Sequence, residues 1–158
     1  MNDIMKIYTV SFFGHRKLYD VRKTDGQLSP LLKELIKTKP YVAFLIGRQG
    51  EFDEYAASVI KRVQKEVGSD NNDLTLVIPY GVADIEYYEN YYDNVIIPEI
   101  VDGVHPKLAI TLKNRWMVEQ SDLVIVNVEH RKGGAYTAMK YAERINKKII
   151  NLCDMDYS

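Results

Sequence analysis

The sequence predicts an α/β protein: a Rossmann-like, doubly wound, mainly parallel sheet of about five strands with helices on both faces. Three observations carry this expectation. Short apolar runs alternate with segments of helical period along the chain. The runs are apolar at consecutive positions, as in strands covered on both sides. The 158 residues read as one domain, 1–158, long enough to bury about 70% of its unfolded surface without a disulfide or metal staple.

The elements follow in order. Lys6 to Phe13 (KIYTVSFF) is a β-rich run that ends at Gly14. Leu28, Leu31, Leu32, Leu35 and Ile36 fall on one helix face, and Ser29-Pro30 has the chemistry of an N-cap and first turn for that helix. Tyr41 to Ile46 is a second strand, ending at Gly47. Phe52, Ala56, Val59, Ile60, Val63 and Val67 trace the clearest amphipathic helix, stopped by Gly68 and Asn71-Asn72. Leu74 to Ile78 is a third strand. The stretch from Pro79 to Pro106 is less regular; it holds Tyr80, Tyr87, Tyr88, Tyr91 and Tyr92, and Val95 to Ile97 has the makings of a short strand. Lys107 to Gln120 is helical, with Leu108, Leu112, Trp116 and Glu119 in period. Asp122 to Val128 is the fourth strong strand, Ala135, Ala138, Met139, Ala142 and Ile145 mark the next helix, and Lys148 to Leu152 is the fifth strand. Right-handed crossovers leave few topologies. The expected strand order is 3-2-1-4-5, with Lys6–Phe13 central and beside Asp122–Val128.

Composition excludes several function classes. Lys plus Arg is 21 and Asp plus Glu is 22, a net charge of −1, which argues against a protein whose main task is to coat nucleic acid or an anionic membrane. Cys153 is the one cysteine, so there is neither a disulfide framework nor a thiolate zinc cage; it reads as an inert buried thiol. His15, His105 and His130 lack metal-binding spacing, and neither a metal nor a cofactor is expected. No apolar run approaches the ~20 residues of a membrane span, and the N-terminus does not read as a signal peptide, so a cytoplasmic location is expected.

In a doubly wound sheet, ligands bind beyond the carboxyl ends of the strands, at the point where the strand order reverses. Four unusual loops follow strands and converge on that edge. Gly14-His15-Arg16 follows the first strand. Arg16 suits a phosphate or carboxylate, or else an ion pair to Asp20 or Asp53; His15 is an acid–base candidate or a backbone-bonded loop histidine. The second loop offers Gly47, Gln49, Gly50, Phe52 and Asp53. Its acids Glu51 and Glu54 suit a helix N-terminus, whereas Asp53 is placed to grip ribose hydroxyls. The third loop is the Tyr-rich stretch 80–92, read either as a lid stacking on a base or as an oligomer interface; a homo-oligomer is the expected state. The fourth carries Gly133, Gly134 and Ala135, where a helix opens and free N–H groups attract phosphate. Neither GxGxxG nor GxxxxGK accompanies it, so dehydrogenases and P-loop transferases have no direct support. Asn114 and Arg115, in the helix before the fourth strand, complete the candidate ligand contacts; Trp116 beside them reads as core.

Five segments together resemble the SLOG superfamily: FFGHR (Phe12–Arg16), IGRQGEFD (Ile46–Asp53), KNRWMVEQSDLVI (Lys113–Ile125), the GGA turn (Gly133–Ala135) and IINL (Ile149–Leu152). They occur in order over nearly the whole chain and are most similar to the short, single-domain bacterial members related to YpsA. The resemblance implies a Rossmann-like domain whose strand ends bind nucleotides or molecules made from them. Its relatives include cytokinin-activating (LOG) phosphoribohydrolases, the DNA-processing protein DprA, and sensors of NAD-derived signals. The phosphoribohydrolases carry PGGxGTxxE. Here the corresponding run is Lys132 to Lys140; Gly133 and Gly134 match, but Lys140 stands where the catalytic glutamate belongs. Asp53 is then the first candidate for a catalytic acid.

Three functions follow. The favoured one is a ligand-binding protein that senses or sequesters a nucleotide or nucleotide-derived small molecule. The second is an N-glycosidic hydrolase, which needs a carboxyl group of tuned pKa beside the sugar. The third, single-stranded DNA binding by analogy with DprA, is disfavoured by the neutral net charge.

Overall fold

A computed structural model describes residues 6–154. Six strands form one sheet: β1 (Ile7–Gly14), β2 (Tyr41–Ile46), β3 (Asn72–Val77), β4 (Asn94–Ile96), β5 (Leu123–Asn127) and β6 (Lys148–Asn151). The order is β4-β3-β2-β1-β5-β6 and every neighbouring pair is parallel. The expected order of the five strong strands holds, and a sixth strand extends it. The three residues of β4 pair with Thr75–Val77 at the sheet's edge, one residue earlier than the Val95–Ile97 run suggests. A strand this short at an edge carries little apolar patterning of its own.

The helices are α1 (Val21–Thr38), α2 (Glu51–Val67), α3 (Ile85–Tyr91), α4 (Pro106–Gln120) and α5 (Gly134–Arg144). On one face of the sheet α1 and α2 pack over Val10, Phe12, Phe44, Leu74 and Leu76; on the other, α4 and α5 pack over Phe13, Leu45, Val77, Val124 and Val126. Successive residues of β1, Phe12 and Phe13, thus enter opposite cores, as the pleat requires.

Three expectations are corrected. Helix α1 starts at Val21, capped by Asp20, whose carboxylate accepts from Lys23 N–H at 3.0 Å; Ser29 is not the cap and Pro30 lies inside the helix. The first two turns are polar (VRKTDGQ), so the apolar period marks only the second half, and tertiary packing of Leu28 to Ile36 carries the proline's missing hydrogen bond. In α4 the buried positions are Ala109, Lys113, Met117 and Val118, while Leu108 is 53% exposed. Trp116 packs at the margin of the second core. Cys153 is half-buried rather than buried; its thiol donates to Asn127 Oδ1 at 3.1 Å, and burial pushes its pKa up.

The fold places α4 against the sheet's centre. The hydroxyl of Ser11, buried in β1, donates to the carbonyl of Met117 at 3.0 Å, and Ser121 Oγ reaches the same oxygen at 2.7 Å. This fixes the last turn of α4 beneath β1 and sets the rotation of Lys113, one turn earlier on the same face.

Candidate functional site

At the carboxyl edge, between β1 and β5, lies a cavity of about 570 Å³, within the ordinary range for small-molecule sites. The chain builds leftward from β1 through β4 and then returns to β5, so this is the crevice where the sheet reverses. The loops after β1, β2 and β5 all reach it. Of the expected contacts, Gly14, His15, Arg16, Gly47, Gln49, Asp53, Asn114, Gly133, Gly134 and Ala135 line it; Gly50, Phe52 and Arg115 do not.

The three exceptions have separate causes. Phe52 is fully buried in the α1/α2 core and lies beneath Gly14, where an added Cβ would meet its ring at 2.3 Å. Gly50 packs on the backbone of Arg16, 2.5 Å from its Cα by the same construction. Both are therefore packing positions that bind the β1 loop to α2. Two further bonds tie that joint: Glu51 N–H donates to Arg16 O at 2.8 Å, and Leu18 N–H donates to Glu51 Oε1 at 3.1 Å. Arg115 faces a neighbouring groove, because a helix turns by 100° per residue and carries it away from Asn114.

The Tyr-rich loop also departs from expectation. Tyr88 and Tyr92 are buried in the α1/α2 core, Tyr80 and Tyr87 face outward, and none of the five tyrosines lines the cavity. The lid reading is therefore set aside: this segment lies beyond β3, away from the crevice. It draws Arg48 out of the second loop instead, with the guanidinium 4.5 Å from the Tyr88 ring centroid.

The fourth loop opens a helix without a side-chain cap. Gly133, at φ +94°, adopts a conformation that an L side chain rarely takes, and this turns the chain directly into α5. The first bond of that helix runs from Thr137 N–H to Gly133 O at 3.0 Å, and no side chain caps it. The N–H groups of Gly134, Ala135 and Tyr136 therefore lack partners within the helix. Arg16, Lys17 and Lys132 stand around this opening. Positive charge is thus concentrated at the crevice of a chain whose net charge is −1.

The floor holds a lysine that sequence reasoning passed over. Lys113 is 1% exposed, and among the described residues it forms no ion pair within 4.0 Å. Burial lowers its pKa to about 8, with Asp53 opposing the shift. Asp53 is buried beside it. Desolvation raises its pKa to about 6, against the Gln49 N–H that donates to it at 2.9 Å and the pull of Lys113. Gly47 keeps the space between them open: a Cβ there would stand 2.9 Å from Lys113 Nζ and 3.4 Å from Asp53 Oδ2. The sequence signal for Lys113 is its place in the Ala109–Lys113–Met117 stripe, where a charge interrupts a buried face.

His15 is held by the backbone. Glu129 N–H and His130 N–H donate to its Nε2 at 3.0 and 3.1 Å, so the ring is neutral and joins the β1 and β5 loops across the crevice. Desolvation, then His130, lowers its pKa below 6.5. A group that loses basicity on folding adds stability above its unfolded pKa and loses it as pH falls. His15 therefore draws stability down on acidification below about pH 6.5, against Asp53, whose raised pKa of about 6 works the other way, and in urea melts His15→Gln should gain on the parent as pH falls through this range. An unchanged slope would show that the ring does not bridge the loops. Arg16 pairs with neither Asp20 nor Asp53 among the described residues, which leaves its exposed guanidinium free at the rim.

A Rossmann-like α/β domain with a cation-rich crevice at the sheet's reversal point is thus the class that fold and site define. Solved structures of the same fold include DNA processing protein A (DprA) from Streptococcus pneumoniae, at TM-score 0.66 and 14% identity over 90% of this chain and 49% of that one. DprA from Helicobacter pylori, described by its single-stranded DNA binding mode, gives TM-score 0.62 and 16% identity over 90% and 63%. The protein TM1055 gives 0.57 and 11% over 90% and 72%. This chain spans about half of the first DprA structure and under two thirds of the second. No protein-family model and no curated protein matches the sequence. Among the described residues no helix is long and apolar enough to cross a membrane.

Proposed function

We propose that the protein binds a nucleotide or nucleotide-derived small molecule in the crevice, to sense or sequester it. The observation that carries this reading is the pairing of an uncapped α5 start with an unpaired, buried lysine amine in one cavity. A phosphoryl group answers both: it accepts from the free N–H groups of α5 and offsets the buried charge of Lys113. Asp53 is placed to accept from a sugar hydroxyl. The resemblance to the SLOG superfamily, within it to the YpsA-related proteins, supports the same reading, as does the DprA-like fold.

A second reading rests on Asp53 itself. A carboxyl group raised to about 6 within a ligand cavity has the acidity that N-glycosidic hydrolysis asks of a general acid–base. One experiment separates the two. A thermal-shift screen against AMP, ADP-ribose, NAD and cyclic dinucleotides should find a ligand that, at 100 times its Kd, adds about 2.7 kcal/mol. That raises Tm by roughly 5–10 °C. Mass spectrometry of the incubated ligand should show it intact for a binding protein. Free base would support the hydrolase, and Asp53→Asn should then abolish turnover. Stabilisation by none of these compounds, together with tight, salt-sensitive binding of single-stranded DNA, would overturn both in favour of a DprA-like activity.

A further inference from the structure

A second cavity of about 410 Å³ opens in the groove between α4 and α5 and adjoins the first: Ile110, Asn114 and Gly134 line both. Its charge is basic. Lys140 is neutralised by Glu143 at 2.7 Å. Arg115 and Arg144 form no ion pair among the described residues, yet both stand over the ring of Tyr141, at 5.4 and 5.1 Å from its centroid. The acid facing that ring, Glu119, accepts from the Tyr141 hydroxyl. Two guanidiniums that line one groove and lack an acidic partner within it make that groove attractive to an anion. Asn114 stands at the wall shared by the two cavities; its Oδ1 is enclosed and has no hydrogen-bond partner among the described residues.

From these contacts we infer that the ligand occupies both cavities. One phosphoryl group sits at the α5 start and a second lies in the α4/α5 groove beside Arg115 and Arg144. The sugar that joins them lies along the wall that Ile110, Asn114 and Gly134 give to both cavities. The class is a dinucleotide-sized molecule with two phosphoryl groups. This inference rests on the crevice binding a nucleotide, and it assigns the groove as a separate anion subsite.

The test compares AMP with the 5′-phosphorylated diadenylate pApA by calorimetry at fixed salt. The parent protein should bind pApA at least ten-fold more tightly than AMP. In the double variant Arg115→Gln/Arg144→Gln, whose side chains are exposed, the preference should shrink to two-fold or less while AMP affinity stays within two-fold of the parent. AMP binding without a preference for pApA overturns the subsite alone, as does a preference that survives the double variant. Failure of both compounds to bind overturns the subsite together with the nucleotide reading. Affinity that climbs steadily from two to ten nucleotides overturns it in favour of a groove that follows a strand.

Discussion

Gly14→Ala should cost about 3 kcal/mol and lower Tm by roughly 6–12 °C, a large effect for one added methyl group. The new Cβ would lie 2.3 Å from Phe52 Cγ, 2.4 Å from Cδ2 and 2.5 Å from Cβ. Because Phe52 Cβ itself is in the clash, no change of rotamer relieves it. Phe52 is fully buried in the first turn of α2, so it has no solvent to retreat into. The strand resists as well: Val10 to Gly14 pair with β5, with Gly14 opposite Asn127, and Ile7 to Ser11 pair with β2. Relief must come from moving α2 away from the sheet, which opens the α1/α2 core and pulls the second loop from the crevice. Gly14→Val should cost more. Urea and thermal melts decide the matter; a loss under 1 kcal/mol would mean that the β1 loop and α2 are not locked together as described.

The fold was legible because its central strands are continuous apolar runs, and only helices on both faces account for such runs in a chain of this length. Bounds and faces fall out of place in elements whose apolar signal is weak or misdirected. The three residues of β4 carry so brief a pattern that the expected run, Val95 to Ile97, lies one residue late, and the polar opening turns of α1 hide the cap at Asp20. Helix α4 misled in a different way. Leu108 and Trp116 suggested one face, while the buried stripe runs through Lys113, which a reading by hydrophobicity discounts.

The same contrast governs the site. Loops after parallel strands must share an edge, so the meeting of Gly14–Arg16 with Gly133–Ala135 followed from topology. Which residues of a loop face the cavity does not follow from topology. Gly50 and Phe52 lie in the IGRQGEFD segment yet serve to fasten the β1 loop to α2, and Arg115 turns into the adjoining groove. A glycine in a loop has the same letter whether a ligand or a phenylalanine ring takes its missing side chain's place.

Lys113→Met should stabilise the unliganded protein while weakening its ligand at least ten-fold. At pH 7 an amine with a pKa of about 8 is mostly charged, and burial opposes that charge. The distance from 10.5 down to about 8 corresponds to about 3 kcal/mol of opposition. Methionine fills a similar volume without the charge, but it deprives Asp53 of its cation and drives that carboxyl further up from about 6. The net gain should be about 1–2 kcal/mol, or roughly 2–8 °C in Tm. The pH dependence supplies a sharper signature. Between pH 8 and 10 the unfolded chain still holds the proton that folded Lys113 has released, so Lys113 makes stability rise with pH. In Lys113→Met that contribution should vanish and stability should fall with pH relative to the parent, because Cys153 and the tyrosines that folding raises, Tyr41 and Tyr92 to about 12, ionise first in the unfolded chain. Urea melts at pH 7 and 9.5 measure both effects, and calorimetry with the compound found by thermal shift measures the affinity. A destabilised variant, or one that binds as tightly as the parent, would remove Lys113 from the floor of the site. A buried cation that costs stability in the empty protein, and whose cost falls when an anion is added, is the outcome that the proposed nucleotide site predicts.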